Sequence, residues 1–358
     1  MHFLIITYDE YVNIPYIKKY EQLILENNDT YDIVLWDRRG LKYPHPSNHI
    51  MFEANAGKTK ASKIVPFIRL RKLIKNTMKE THYDKLIVLT TIPALLIFDK
   101  LLLRYKGQYL LDYRDYTYEN FYPYKKFVNL VAQGAAIVSI SSKAFLEVFK
   151  KKENFIVTHN ITNIKDANNS YQALVNDNTI TISFVGGVRY FEENCKLLLQ
   201  FKNNVKFKLQ YIGKVHPGCD LQKFCREHQI NNVEFFPEYN NDQKPEIYNK
   251  VDLINAIYGN KTNEVVLALP NKLYDCVLFK KPIIVSKNTY VSKIVKQYYL
   301  GIAVDIEKDD VAAMIEDFYR KFDIIKFEKG CLDFLQIAIQ EEKECNSQIE
   351  YFIKKEVI

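Results

Sequence analysis

Short apolar runs rich in β-branched residues recur along the whole chain, and most are followed by a stretch with helical spacing. This alternation constrains the fold more than any other feature. A strand reached again only through a helix-length segment pairs most readily with its predecessor in parallel, as a βαβ unit. Candidate strands in the first half are 2–8, 32–36, 85–91, 109–113, 136–141 and 155–158. In the second half they are 179–185, 208–212, 233–236, 253–258, 282–285 and 302–306. Helical patterns lie between them, for example 63–79, 191–201, 221–228, 271–279 and 311–321. Several strands are apolar at successive positions, as a sheet covered on both faces by helices requires.

A single core rarely grows past roughly 250–300 residues, so a chain of 358 is expected to form two domains. The strands fall into two series, giving an α/β expectation of two doubly wound, Rossmann-like parallel sheets. The domains are expected at 1–165 and 175–340, joined by the polar stretch 160–178, with a helical segment at about 340–358 that can pack back on the first domain. Open α/β sheets bind ligands beyond the carboxyl ends of their strands, so the expected site is a cleft where two such domains face each other.

Several function classes are excluded. The longest charge-free stretch, 127–142, contains Asn129, Gln133 and three serines and is too short and polar to span a bilayer. The start, MHFLIITY, has no basic lead and is followed by Asp9 and Glu10, so a signal peptide is not expected. The six cysteines form no Cys-x-x-Cys pair, which fits reduced thiols in a cytoplasmic protein. His216, Cys219, Cys225 and His228 have ligand-like outer spacing but too short a middle gap for a zinc finger. They read as turn and helix residues, and no metal is expected.

Charge is unevenly spread. Residues 1–165 hold 25 Lys and Arg against 16 Asp and Glu, or +9, whereas residues 166–358 hold 25 against 27, or −2. From Ala54 through Lys79 there are eight basic residues and no acidic one. Within 63–79, Ile64, Phe67, Ile68, Ile74 and Met78 approximate one helical face, and Pro66 is the expected start of the regular helix. Lys63, Arg69, Arg71, Lys72 and Lys75, with Lys58 and Lys60 before them, then form a cationic surface suited to anionic phospholipid. The plainer reading is a core-packed helix with a solvated basic face. Nucleic acid fits less well, because no nucleic-acid-binding motif accompanies the strip.

Two motifs carry chemistry. Leu269-Pro270-Asn271-Lys272 opens a helix that Lys280-Lys281-Pro282 closes. Its first turn offers free N–H groups, the positive end of the dipole and Lys272, which together suit a phosphate. Asp275, three residues on, shares a face with Lys272 and could accept from ribose hydroxyls. The second motif, Val185-Gly186-Gly187-Val188-Arg189, joins an apolar strand to a helix. Its glycines admit a ligand to the backbone and Arg189 can grip a diphosphate with two parallel hydrogen bonds. Gly213, after Tyr211-Ile212, repeats the strand-end glycine.

Taken in order, FVGGVRYFEENCKLLLQF, LQYIGK, VEFFPEY, IYNKVDLINAIYGN and PNKLYDCVLFKKPIIVS resemble the second domain of GT-B glycosyltransferases. The similarity is to the large retaining family found in capsule and cell-surface polysaccharide synthesis. It covers about 179–306, and the first half matches only through YLLDYRD, AIVSISS and VTHN. The resemblance implies a second domain that binds a nucleotide-diphosphate sugar. Gly187 and Arg189 then fall at the positions that face the diphosphate, and Asp275 at the second acid of a Glu-x₇-Glu motif associated with the ribose. The first acid of that motif is replaced by Leu267, with Glu264 out of register, and the usual second lysine after the glycine turn is absent. Lys272 is the candidate to supply that charge.

The expected activity is therefore metal-independent transfer of a sugar to a glycan or lipid-linked acceptor. No Asp-x-Asp occurs in the chain to hold a cation, and no cofactor beyond the donor co-substrate is expected. Donor-binding candidates are Gly187, Arg189, Gly213, Asn271, Lys272 and Asp275. Strand ends in the first half supply acceptor-side candidates Asp9, Glu10 and Arg114, and acid–base candidates Asp115 and His159. The protein is expected in the cytoplasm, peripheral on the inner face of the plasma membrane. Two alternatives share the fold. One is a nucleotide-sugar 2-epimerase; the other is a non-catalytic partner that has lost its chemistry, as the missing first acid suggests.

Overall fold

The computed structural model describes residues 1–38, 40, 45–54, 60–161 and 179–355, with 60–63 described in backbone only. The chain divides into two compact units, Met1–His159 with Glu341–Ile358, and Asn160–Gln340.

Unit 1 is a parallel sheet of seven strands: β1 (His2–Ile6), β2 (Thr30–Asp37), β3 (His49–Glu53), β4 (Lys85–Leu89), β5 (Tyr109–Tyr113), β6 (Ile137–Ile140) and β7 (Phe155–Val157), in the order 3-2-1-4-5-6-7. β4, β5 and β6 are buried along their full length, which only a sheet covered on both faces allows. Its helices are α1 (Ile17–Glu26), α2 (Lys60–Glu80), α3 (Thr91–Leu96), α4 (Phe98–Leu103) and α5 (Tyr122–Gly134).

Unit 2 holds six parallel strands: β8 (Ile180–Val185), β9 (Phe207–Ile212), β10 (Val233–Phe236), β11 (Leu253–Ala256), β12 (Ile283–Ser286) and β13 (Gly301–Val304), in the order 10-9-8-11-12-13. Between and after them run α6 (Phe191–Gln200), α7 (Leu221–Glu227), α8 (Lys244–Tyr248), α9 (Asn263–Leu267), α10 (Asn271–Phe279), α11 (Tyr290–Gln297), α12 (Val311–Arg320) and α13 (Ile324–Lys354).

The last helix serves both units. Its first half buries Phe327, Cys331, Phe334 and Ala338 in the unit 2 core. Its end buries Cys345, Ile349, Phe352 and Ile353 with Ile17, Tyr20 and Ile24 of α1 against the unit 1 sheet. Each large apolar side chain removed from water in this way contributes about 1.5–3 kcal/mol. The buried Lys85 of β4 donates to the carbonyls of Phe352, Ile353 and Lys355, so a cation sits where the helix dipole is negative.

The structure corrects the sequence reading of α2. The helix starts at Lys60 and carries Pro66 inside it. Its core face is Pro66, Leu70, Ile74, Thr77 and Met78, whereas Ile64, Val65 and Ile68 are exposed. Ile74 and Met78 therefore do not share a surface face with Ile64 and Ile68. Arg71 and Lys75 both pair with Asp99 of α4, and Arg69 lies over the Phe52 ring. Lys58 and the side chains of Lys60 and Lys63 lie outside the described residues, as does 162–178 of the polar join.

Candidate functional site

In unit 2 the chain steps outward from β8 to β9 and β10, then returns to β11 on the other side of β8. The order reverses between β8 and β11, and a crevice for ligands opens beyond the strand ends at such a reversal. Gly186-Gly187 follows β8, Gly213 follows β9 and Tyr258 follows β11. Gly186 and Gly213 have φ of 118° and 129°, a region costly for any residue with a Cβ. The loops interlock: Gly186 N donates to Ile212 O and Val188 N to Lys214 O, both at 2.8 Å.

Cations gather around this turn. Lys272, in the first turn of α10, is buried, and its Nζ lies 3.7 Å from the Phe184 ring centre and 3.0 Å from Tyr258 Oη. A side chain at Gly186 would come within 3.8 Å of that Nζ. Burial above all lowers the ammonium to about 7, and the charges of Arg189 and Lys244 push the same way while Asp275 opposes them. Arg189 is exposed and makes no ion pair among the described residues. Tyr190 beside it adopts a left-handed backbone, φ 61°, and stacks on Tyr258 at 4.3 Å. Asn271 opens α10, whose N-cap, Pro270, offers no side-chain acceptor, and Asn271 Oδ1 accepts from Asn160 Nδ2. An unneutralised set of donors on a glycine turn can hold a diphosphate and stabilise the charge that grows on it when it leaves.

His216 and Lys244 belong to this neighbourhood and escape the sequence reading. A Cβ on Gly187 would meet His216 Nε2 at 2.8 Å, so the imidazole occupies the space that makes Gly187 a glycine. Burial, then Arg189 and Lys214, lowers the His216 pKa. Lys244 of α8 donates to Asp275 Oδ1 at 2.8 Å, and Tyr248 Oη donates to Asp275 Oδ2 at 2.8 Å. Both Asp275 oxygens are thus engaged, and a ribose there would have to displace one partner. Glu264 is exposed in the first turn of α9.

The Cys–His spacing does not build a metal site. His228 stacks on Phe224 and its Nδ1 contacts the Phe224 carbonyl, while burial pushes the Cys219 and Cys225 thiols up. Among the described residues no group of three His, Cys, Asp or Glu side chains is placed to hold a metal ion.

In unit 1 the reversal lies between β1 and β4. Asp9 follows β1 and uses Oδ1 to accept from Glu10 N and Asn13 Nδ2; Glu10 is buried beside it. Asp115 follows β5 and is exposed. Arg114 is buried, paired through Nε with Asp112 at 3.0 Å and stacked over Tyr16 at 3.8 Å, so its charge and its face are used inside the unit. His159 stands apart, beyond the edge strand β7. Its Nε2 contacts Glu341 Oε2 at 2.8 Å and its N–H donates to Glu342 Oε2 at 2.7 Å, tying it to α13.

Comparison with known proteins fits this architecture. No protein-family profile matches the chain, and no curated protein matches it by sequence. Solved structures do. Sucrose-phosphate synthase from Thermosynechococcus elongatus superposes with a TM-score of 0.68 at 12% identity, over 99% of this chain and 95% of that one. HepE of Anabaena, solved with UDP and glucose, gives 0.62 at 15% identity over 98% of each chain. The lipopolysaccharide outer core galactosyltransferase WaaB gives 0.64 at 14%, over 98% of this chain and 99% of that one. At such identities the likeness defines the fold: two Rossmann-like parallel-sheet units of the GT-B glycosyltransferase class.

Proposed function

We propose that the protein is a glycosyltransferase that takes its sugar from a nucleotide-diphosphate donor bound by unit 2, residues 175–340 of the sequence reading. The acceptor, a glycan or lipid-linked glycan of bacterial surface polysaccharide synthesis, binds unit 1, residues 1–165. The observation that carries this is the cationic turn at the unit 2 strand reversal, where Gly186, Gly187 and Gly213 bare the backbone and Arg189, Lys272 and the α10 N-terminus converge. HepE, a structural neighbour, binds UDP and glucose at an equivalent fold, which makes UDP the first donor base to test. Arg189, Lys272 and the free N–H groups of α10 would neutralise the departing diphosphate without a resident cofactor. Product NMR reads directly whether the anomeric configuration is kept or inverted.

Calorimetry with UDP, followed by product analysis with UDP-sugars, tests the reading. Hydrogen bonds to a charged group contribute about 1.5–3 kcal/mol, so Arg189→Gln should weaken UDP binding about tenfold or more with the melting temperature unchanged. Equal affinity in this variant removes Arg189 from the donor site, and no binding of any nucleoside diphosphate removes the proposal. Asp275→Asn should raise the donor KM without moving the pH optimum if the carboxylate serves the ribose.

The acceptor side is proposed to work at an anionic membrane surface. Among the described residues no helix is long and apolar enough to cross a membrane. The exposed Ile64, Val65 and Ile68 of α2 lie beside the exposed cations Arg69 and Lys72, a pairing suited to the headgroup boundary. With Arg71 and Lys75 held by Asp99, fewer charges are free to engage lipid, each contributing about 1 kcal/mol near the surface. Sedimentation with phosphatidylglycerol vesicles should show salt-sensitive binding that Ile64→Ser with Ile68→Ser reduces. Indifference to such vesicles at low salt refutes the surface. All six cysteines are free and buried, which suits the reducing cytoplasmic side.

A further inference from the structure

The unit 1 strand reversal holds a cation that the proposed donor chemistry does not use. Arg38 follows β2, and its guanidinium lies 4.6 Å from the Tyr8 ring centre and 4.7 Å from the Trp36 ring centre. Trp36 is itself fixed, almost fully buried, with its indole N–H donating to Ala54 O at 2.7 Å. Arg38 makes no ion pair or hydrogen bond among the described residues, and its Nε is shut off from water with no acceptor. A buried donor without a partner costs about 1–3 kcal/mol, more for a charged group, so an acceptor brought to this guanidinium would recover free energy. Two aromatic rings flank the guanidinium, and its Nη groups, which no described residue engages, suit a planar or tetrahedral oxyanion held through two parallel hydrogen bonds.

The surroundings support a ligand here. β2, β1 and β4 are successive strands, and Tyr8 and Thr90 follow the two that flank the reversal. Thr90 has φ 71° and ψ 171°, a region sparsely populated by any residue but glycine. Its Oγ1 is a second buried polar atom with no partner. Tyr8 also lies within electrostatic range of Asp9, Asp115, Tyr118 and Tyr124. The Arg38–Tyr8 pair and the strained Thr90 thus stand at ends of strands on the two sides of the reversal, where an open α/β sheet takes its ligand.

We propose that Arg38, flanked by Tyr8 and Trp36, binds an oxyanion, phosphoryl or carboxylate, carried on the substrate of unit 1. An acceptor anchored there would have its neutral ring toward Asp9 and Asp115, whose charges repel the anion and are placed to accept a hydroxyl proton. The oxyanion site stands independently of the proposed transfer; naming its occupant the acceptor rests on that reading.

The test follows Arg Nε–Hε cross-peaks in the full-length protein, with the Arg38 peak assigned by its absence in Arg38→Lys. Inorganic phosphate, glucose 6-phosphate, glucuronate and glucose are titrated separately, then repeated with Arg189→Gln so that any phosphate bound in unit 2 is discounted. The Arg38 peak should move with at least one of the three anions and stay still with glucose. The responding anion identifies the group as phosphoryl or carboxylate. Arg38→Gln should weaken that anion about tenfold or more, and Arg38→Lys, which keeps charge and stem, should weaken it less. An Arg38 peak that ignores all three anions overturns the site, whether or not UDP binds unit 2. So does undiminished affinity in a folded Arg38→Gln.

Discussion

Gly213→Ala is expected to cost about 2–3 kcal/mol of stability and to weaken UDP binding on the order of a hundredfold. The added Cβ would stand 2.4 Å from Gly186 O and 2.9 Å from Gly186 C, a backbone clash that no rotamer relieves. The φ of 129° at Gly213 adds strain of about 1–3 kcal/mol for a residue with a side chain. Relief can come only by moving the Gly186-Gly187 turn, because Gly213 N is fixed to Phe236 O and Gly186 N to Ile212 O. That displacement carries the bare backbone and Arg189 away from the ligand, and losing two hydrogen bonds to a charged group at about 1.5 kcal/mol each weakens binding on the order of a hundredfold. Gly218→Ala is the control: its φ is 84°, but a Cβ there meets nothing within 4 Å. It should lower the melting temperature through strain while leaving UDP affinity intact. If both variants bind UDP like the parent, the interlocked glycine loops do not shape the donor site.

Much of this arrangement is legible in the sequence because punctuation marks it. Glycine after an apolar run places Gly186, Gly187 and Gly213 at strand ends, and Pro270 with Lys280-Lys281-Pro282 brackets α10 at the bounds observed, Asn271–Phe279. Strand β3 is not among the expected strands. It is a short edge strand, His-Ile-Met-Phe-Glu, in which only Phe52 is buried, so its alternation is faint. The end of α13 is anticipated, but the helix begins well before the expected 340, at Ile324, where Gly330 weakens the local pattern. What the sequence does not carry is long-range pairing. Lys244 matters because it reaches Asp275 across 31 positions, and Arg71 looks like a membrane cation until Asp99 claims it. Arg38 is not singled out by any pattern in the sequence, and only the structure shows two aromatic rings beside it and no acceptor for its Nε. The faces of α2 are misjudged for the same reason: the sheet beneath decides which side of a helix is inside.

Lys272→Met is expected to stabilise the fold while crippling donor binding. The ammonium of Lys272 is lowered to about 7, against about 10.4 for a lysine in an unfolded chain. Between those values the unfolded chain holds a proton that the folded one has released, so stability rises with pH across that window. Methionine fills the same slot between Phe184 and Tyr258 without a charge to desolvate. The variant should therefore melt higher at pH 7 and lose the rise toward pH 10. Donor binding should respond oppositely. A diphosphate draws Lys272 into its charged form, so above pH 7 each UDP bound takes up a proton, and affinity falls by up to about tenfold per pH unit. Calorimetry in buffers of different ionisation heat measures that uptake. His216→Gln should keep the slope above pH 7, because the imidazole, already lowered by burial and then by its cationic neighbours, titrates at more acid pH. Lys272→Met should abolish it and weaken UDP binding at least about tenfold. A Lys272→Met protein that melts lower at pH 7 and binds UDP with the parental pH slope would show that the buried lysine is a core residue and not the proton-coupled hand on the donor.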